Sequence, residues 1–320
     1  MIENLPSAEE LEETALRIHF DAWHRTIGLI FDFSEAYQLE KGEEPESSDD
    51  YQEEWLEYLL GSQAEMGAIC SSIQHSAELR LKSIICTVSP FLLLLNNSVP
   101  LKGGQTSLDF ASLRTIDSVD LPNAVRTLSD FPLSNAFDLH FNELRRRRNQ
   151  LTHLGVHQNN LTPNNLIQFM NTQYNFLWPD GRWLYRRTIF DGNSARRFFN
   201  DHRYASVETD VMIELATSIP RIANVDFKKM FGFKKSAMNI YCPNCMGLRA
   251  TKWHSGGHPT AVQTGSKSAT CLMCEQSLVL EDIAQEYTKC DSCETSMLVI
   301  STTTDADSLC SSCGEVLDPS

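Results

Sequence analysis

No stretch of the 320 residues reaches the ~20 consecutive apolar positions that a membrane-spanning helix needs. The most apolar run, Ile84 to Leu95, is too short and is interrupted by Ser89 and Pro90. The N-terminus is acidic and amphipathic and lacks the basic flank and apolar core of a secretory signal, so the expected compartment is the cytoplasm, with no membrane partner. Also missing are the Walker phosphate loop, Gly-x-Gly-x-x-Gly, Gly-x-Ser-x-Gly and His-Glu-x-x-His. Their absence removes the commonest signatures of nucleotide hydrolysis, dinucleotide chemistry, serine esterases and zinc peptidases. No internal repeat occurs beyond the paired cysteine motifs described below. At 42% hydrophobic and 22% charged, the composition is that of an ordinary globular protein, long enough for two or three domains and at least one sizeable core.

The net charge of −15 is segregated along the chain. Residues 1–60 carry −14, residues 61–140 carry −2, residues 141–270 carry +10, and residues 271–320 carry −9. An overall pI of about 5.0 argues against nucleic acid as a partner, whereas a local basic zone can still meet a phosphate backbone. The alternative is that the basic zone only balances the acidic ends.

Of ten cysteines, Cys70 and Cys86 stand alone in apolar helical surroundings and read as inert core residues. The other eight form four Cys-x-x-Cys pairs: Cys242/Cys245, Cys271/Cys274, Cys290/Cys293 and Cys310/Cys313. Two intervening residues let both sulfurs turn to one ion at about 2.3 Å while loop N–H groups point at the thiolates. Two such knuckles complete a tetrahedral site, and 25 residues separate the first two knuckles and 16 the last two, spans that suit a β-hairpin. The expectation is a tandem zinc-ribbon module over residues 239–320, one ribbon at 239–280 and the other at 287–320, holding two structural Zn2+ ions. Four thiolates leave no open coordination position for catalysis. Pairing of the first knuckle with the second and the third with the fourth is expected, with a cross-braced arrangement as the alternative. His254 and His258 are rival ligands for the first site, read here as loop residues. A disulfide framework would need an oxidising compartment.

Ahead of the cysteines the chain reads as mainly helical. Residues 7–40 form one amphipathic helix opened by a Ser7/Glu10 capping box, with Leu11, Ala15, Ile18, Trp23, Ile27, Ile30 and Phe31 at helical spacing. An acidic loop, 41–50, leads to a second long helix, 51–88, which Pro90 ends or kinks. A short helix at 118–128 takes Pro122 in its first turn, and a long one runs from Pro132 to His153 with Ser134 as cap and Gly155 as stop. Further helices are expected at 165–178, 194–204 and 206–230, with a tight turn from Trp178 to Trp183. The domain division is 1–175, a helical extension or linker at 176–238, and the zinc module.

The densest chemistry is Glu143-Leu-Arg-Arg-Arg-Arg-Asn-Gln-Leu-Thr-His153. Arginines at a helix end commonly form a solvated basic face that suits the helix dipole. The spacing Arg148-Asn149, three residues, His153 resembles the Arg-x4–6-His motif of the HEPN superfamily, and Leu113 to Asp117 with Pro132 to Phe137 resembles the element before that helix. The resemblance covers roughly residues 8–175. It implies a HEPN-like helical bundle and a metal-independent endoribonuclease, of the kind found in toxins and anti-phage defence systems, acting as a homodimer, with an antitoxin or defence-system partner. It further implies Arg148 as the cation for the phosphate, His153 as acid or base and Asn149 as the orienting group, with Arg145, Arg146 and Arg147 attracting RNA. On one helix Arg148 and His153 lie about 140° apart, so a single protomer makes a poor site. The alternative function is a non-catalytic nucleic-acid-binding dimer that uses the same scaffold and ribbons. A second basic and aromatic segment, Arg182, Arg186, Arg187, Arg196, Arg197 and Arg203 with Trp183, Tyr185, Phe198 and Phe199, is either a strand-binding surface or an ordinary helical region. Arg114 and Asp117 are a candidate ion pair.

Overall fold

The structure is a computed structural model that describes residues 2–39, 51–95, 107–154, 161–192, 207–242, 244–245, 259–280, 283–289, 296–302, 308–310 and 316–317. The acidic loop 41–50, Gly155, the expected helix 194–204 and both histidines of the first ribbon's loop lie outside them. The chain divides into two compact units, residues 1–179 and 180–320, so the segment 176–238 falls mostly with the cysteine-rich module.

The first unit is a helical bundle. Helix α1 (Ala8–Ala36) starts where Ser7 Oγ accepts the Glu10 N–H at 3.1 Å and the Glu10 carboxylate accepts the Ser7 N–H at 3.3 Å. That reciprocal cap satisfies two donors a helix start otherwise leaves open. Its inner face buries Ala15, Leu16, Phe20, Trp23, Ile27, Ile30 and Phe33, whereas Phe31 faces solvent. The single helix expected over 51–88 is divided at Ser62 into α2 (Gln52–Gly61) and α3 (Gln63–Cys86). The cause is local. Ser62 Oγ donates to the Tyr58 carbonyl at 2.8 Å, and the Gln63 amide donates to the carbonyls of Leu59 and Leu161 at 2.8 and 3.0 Å. Side chains thus share carbonyls that a continuous helix keeps for its own ladder, a competition that bends helices.

Helix α3 is the central element and packs against α1, α4 (Leu121–Leu128), α5 (Phe137–Leu154) and α6 (Pro163–Leu177). It is therefore buried on several sides, and its polar positions need partners. Ser76 Oγ donates to the Ala15 carbonyl at 2.7 Å and Ser83 Oγ to the Ala8 carbonyl at 2.8 Å, which fixes α1 against α3. After α3, Ser89 caps a 3-10 turn that opens at Pro90, and a later such turn at Ser118–Asp120 leads into α4. Helix α5 begins at Phe137, five residues after the expected start, because Ser134 and Asn135 form the preceding turn. Thr162 and Asn165 make a second reciprocal cap at the start of α6. Two short strands, β1 (Ile2–Glu3) and β2 (Leu108–Asp109), pair in parallel.

The second unit opens with α7 (Trp183–Gly192), α8 (Val207–Ser218) and α9 (Asn224–Phe231). The helix expected over 206–230 is thus two, separated by the 3-10 turn Ile219–Arg221, where Pro220 lacks an N–H to continue the ladder. Gly232 ends α9 at φ +77, and Gly181 adopts φ +68 in the expected turn. Trp183, Phe227 and Phe231 form the aromatic core, with the two phenylalanine rings stacked at 4.3 Å. Two antiparallel sheets follow, each in chain order. The first contains β3 (Met238–Ile240), β4 (Ala261–Gln263), β5 (Ser268–Cys271) and β6 (Ser277–Val279); the second contains β7 (Ile283–Lys289), β8 (Ser296–Thr302), β9 (Ser308–Cys310) and β10 (Val316–Leu317). Within the second sheet β7 and β8 pair from Ile283↔Thr302 to Lys289↔Ser296 without a register shift. The protein is therefore mainly helical with small C-terminal antiparallel sheets, and no described helix is long and apolar enough to cross a membrane.

Candidate functional site

Two sites merit description, one in each unit. In the second unit, Cys242 lies just past β3, Cys271 closes β5, and Cys245 and Cys274 follow three residues behind each. Their four sulfurs all fall within 4.8 Å of one another. Cys242 Sγ is 3.8 Å from Cys274 Sγ, and Cys245 Sγ is 3.8 Å from Cys271 Sγ. A tetrahedral ion with ligands at 2.3 Å demands sulfur–sulfur edges of about 3.8 Å. The first knuckle therefore closes with the second into a set that can hold one metal ion. Cys242, Cys245 and Cys271 are buried and Cys274 is half-buried, which keeps water from the thiolates.

The surroundings are built for sulfur. The Met273 N–H donates to Cys271 Sγ at 3.4 Å, and Thr260 Oγ1 lies 3.4 Å from the same sulfur. These are the outer contacts that stabilise a thiolate ligand. Hydrogen bonds from Cys242, then Cys245 and Cys274, hold the Cys271 thiol well below its ordinary range. The bond with Cys242 chiefly pushes Cys245 well above it. The sulfurs thus share protons that a dication would displace. The second knuckle turns through Glu275, whose N–H reaches the Cys271 carbonyl at 2.9 Å and whose φ is +56, a position glycine fills at low cost. Arg182 grips this residue through Nε and Nη2 at 2.7 and 2.6 Å from its two oxygens. The side-chain amides of Asn244 and Gln276 join the two knuckles directly.

For the second set of four, Cys310 ends β9 with its side chain outside the described residues, and Cys290, Cys293 and Cys313 lie outside them altogether. Cys70 and Cys86 are buried in α3, and loss of solvation pushes each thiol up to about 11. Unreactive packing residues have this character.

In the first unit, α5 carries the arginine run. Arg148 Nη1 donates to Glu78 Oε1 of α3 at 2.9 Å. The same oxygen accepts Ser118 Oγ at 2.6 Å and Gln74 Nε2 at 3.1 Å. Arg148 Nη2 and Nε approach Asn149 Oδ1 at 3.2 and 3.4 Å. Arg148 is thus held by two neighbours while its side chain remains 29% exposed, against 14% for Glu78. The other arginines diverge. Arg146 and Arg147 share Glu143, and Arg147 also lies over the Phe169 ring at 5.5 Å. The Arg145 Nε is buried with no hydrogen-bond partner among the described residues. His153 stands in the last turn of α5, with its side chain outside the described residues. Glu78 was not legible as Arg148's partner, being 70 positions away with no local motif.

The second basic segment is taken up by acids. Arg182 meets Glu275, Arg186 meets Asp180 at 2.6 Å, and Arg187, 1% exposed, meets Glu214 at 2.8 Å beside the buried Trp183. Arg196, Arg197, Arg203, Phe198 and Phe199 lie outside the described residues. Arg114 and Asp117 pair at 2.7 Å on the surface, directly before the turn that brings Ser118 to Glu78.

Compared with family models, with curated proteins and with solved structures, the chain matches none.

Proposed function

We propose that this protein is a metal-independent endoribonuclease of HEPN type that acts as a homodimer, with its cysteine module holding two structural zinc ions. The observation that carries the reading is the fixed guanidinium of Arg148. Glu78 anchors it on one side and Asn149 flanks it on the other, it keeps access to solvent, and His153 follows five residues on in the helix's last turn.

The chemistry asked of these groups is transesterification. His153, as neutral imidazole, takes the proton of a ribose 2′-hydroxyl as that oxygen attacks the adjacent phosphorus. The bond to the 5′-oxygen breaks, that oxygen is protonated by a second acid, and a 2′,3′-cyclic phosphate remains. Histidine suits the proton transfer because its ordinary pKa is near 6.5. Arg148 opposes the extra charge on the five-coordinate phosphorus, with N–H groups left over after Glu78 and Asn149 are served. Arg145 and Arg146 add attraction for the RNA backbone. The sulfur sets confer folding and no chemistry, since each is full with four thiolates. Leu139, 81% exposed two heptads before His153, is available to an intersubunit contact along α5.

A second reading is a non-catalytic nucleic-acid-binding dimer. The observation behind it is that Glu78 already neutralises Arg148, which leaves less charge to oppose a five-coordinate phosphate. Cleavage of total RNA in EDTA, with His153→Ala and Arg148→Ala beside the parent, decides between them. The enzyme reading requires cutting by the parent and loss in both variants. Binding without cutting leaves the second reading.

A further inference from the structure

Apart from both sites, the second unit carries a cleft of about 560 Å³ lined by Asn224, Val225, Lys228, Lys234, Lys235 and Ser236. Three of its six lining side chains are cationic, in a chain whose net charge is −15. Asp226, the single acid between residues 224 and 236, does not line it. Lys228 and Lys234 are exposed and meet no carboxylate among the described residues, although nearly every described arginine discussed above does.

Lys235 is different in kind. Its Nζ donates to the carbonyls of Ile219 and Ile222 at 2.6 and 2.8 Å, which fixes the ammonium in place and leaves its third proton uncommitted. Burial lowers this lysine below its ordinary range, a loss of solvation that a bound anion would offset. The cleft wall is the start of α9, whose cap position is Ala223 and supplies no side-chain oxygen to the first-turn N–H groups. Three lysines, the start of α9 and Ser236 line the same cleft, and the ammonium, backbone N–H and hydroxyl groups they carry are donors that suit phosphate oxygens.

We infer that this cleft binds the phosphodiester backbone of a single-stranded nucleic acid. A strand fits better than a free nucleotide because no aromatic side chain lines the cleft to receive a base, and because lysines at separate positions suit a row of phosphates rather than one. Contacts to phosphates alone carry no sequence information, so the site is expected to take either sugar and any sequence. The inference stands apart from catalysis by α5.

The test is anisotropy with labelled 20-nucleotide oligouridylate and oligothymidylate. It uses the full-length, metal-loaded chain in a His153→Ala background, so that binding is read without cutting. Each phosphate contact on a single strand contributes a slope of about 0.7 in log K against log salt, which at 0.1 M is about five-fold in affinity. Lys228→Gln and Lys234→Gln are each expected to weaken both probes about five-fold and to lower the slope by about 0.7. Lys229→Gln, on α9 but outside the cleft lining, should change neither. Unchanged affinity in the cleft variants overturns the inference, as does an equal loss with Lys229→Gln, which would mark a general charge effect. Uridine monophosphate competing as tightly as the strand also overturns it, as does loss confined to phosphatidylserine vesicles. Cleavage by the unaltered chain is scored separately, so either idea can fail alone.

Discussion

Removing the charge on Glu78 tests whether Arg148 is held by an ion pair or simply packed beside one. Glu78→Gln is the cleanest perturbation, because a glutamine carbonyl can still accept from Ser118 and Gln74, as Glu78 Oε1 does at 2.6 and 3.1 Å. Only the Coulombic partner of Arg148 disappears. Exposed pairs contribute about 0–1 kcal/mol, and removing one member of a fully buried pair costs about 3–5 kcal/mol. With the two side chains 29% and 14% exposed, the pair stands between these limits, and about 2 kcal/mol is expected for the single variant. For a folding unit of this size that lowers Tm by about 4–8 °C. The assay is a double-mutant cycle by denaturant unfolding with Glu78→Gln, Arg148→Met and the double variant. A coupling energy of about 1–2 kcal/mol is expected, with the double variant nearly as stable as the better single one. Because the pair is partly shielded, 1 M salt should leave more than half of the coupling. A coupling within about 0.3 kcal/mol of zero would be indistinguishable from additivity and would refute the anchoring of Arg148 by Glu78.

Metal analysis of the purified chain should return two zinc ions, and Cys271→Ser should return one, with loss of the tetrahedral cobalt-thiolate spectrum for one site on substitution by Co2+. Burial lowers the pKa of His140 to about 4, its Nε2 being hidden from water without a partner among the described residues, so the unfolded chain takes up this proton first as pH falls. Its contribution to stability is whole above about pH 6.5 and declines as pH falls towards 4; His140→Phe should flatten that window by about 3 kcal/mol in urea titrations. Glu214→Ala should cost about 3–5 kcal/mol by stranding the buried Arg187, while the double variant Arg187→Met/Glu214→Leu should recover most of it, read by the unfolding midpoint of the second unit.

The elements legible from the amino-acid order were those set by local rules. The Ser7/Glu10 cap, the break at Pro90, Pro122 in the first turn of α4 and the Trp178–Trp183 turn each depend on residues within one helical turn of each other. The first cysteine set belongs here too, because two-residue spacing constrains both sulfurs of a knuckle wherever the chain goes. What escaped was decided by side chains competing for backbone carbonyls or by distant partners. Ser62 and Gln63 look helical, and only Leu161, 98 positions away, makes the bend at this point worth keeping. Arg187 reads as one more cation of a basic and aromatic segment because Glu214 lies on another helix, 27 residues away. Glu78, the residue that holds the proposed catalytic arginine, carries no signature at all, since an acid on a polar stretch of an amphipathic helix is the commonest thing such a helix can show.

The strongest demand on the catalytic reading is geometric. Positions 148 and 153 of one α helix project about 140° apart, so one helix presents both groups poorly to a shared phosphate. In the proposed homodimer two-fold pairing removes the difficulty, because an isologous contact along α5 allows position 148 of one protomer to stand opposite position 153 of its partner. Complementation tests this without a structure. An Arg148→Ala chain and a His153→Ala chain are each inactive alone, yet their heterodimer contains one site with both groups intact. Equal mixing and exchange make about half the particles heterodimers, each with one live site of two, so about a quarter of the parental rate is expected. Heterodimers verified by differential tagging that remain inert would place both groups in one protomer's site or in neither, and the two-fold composite site would be wrong.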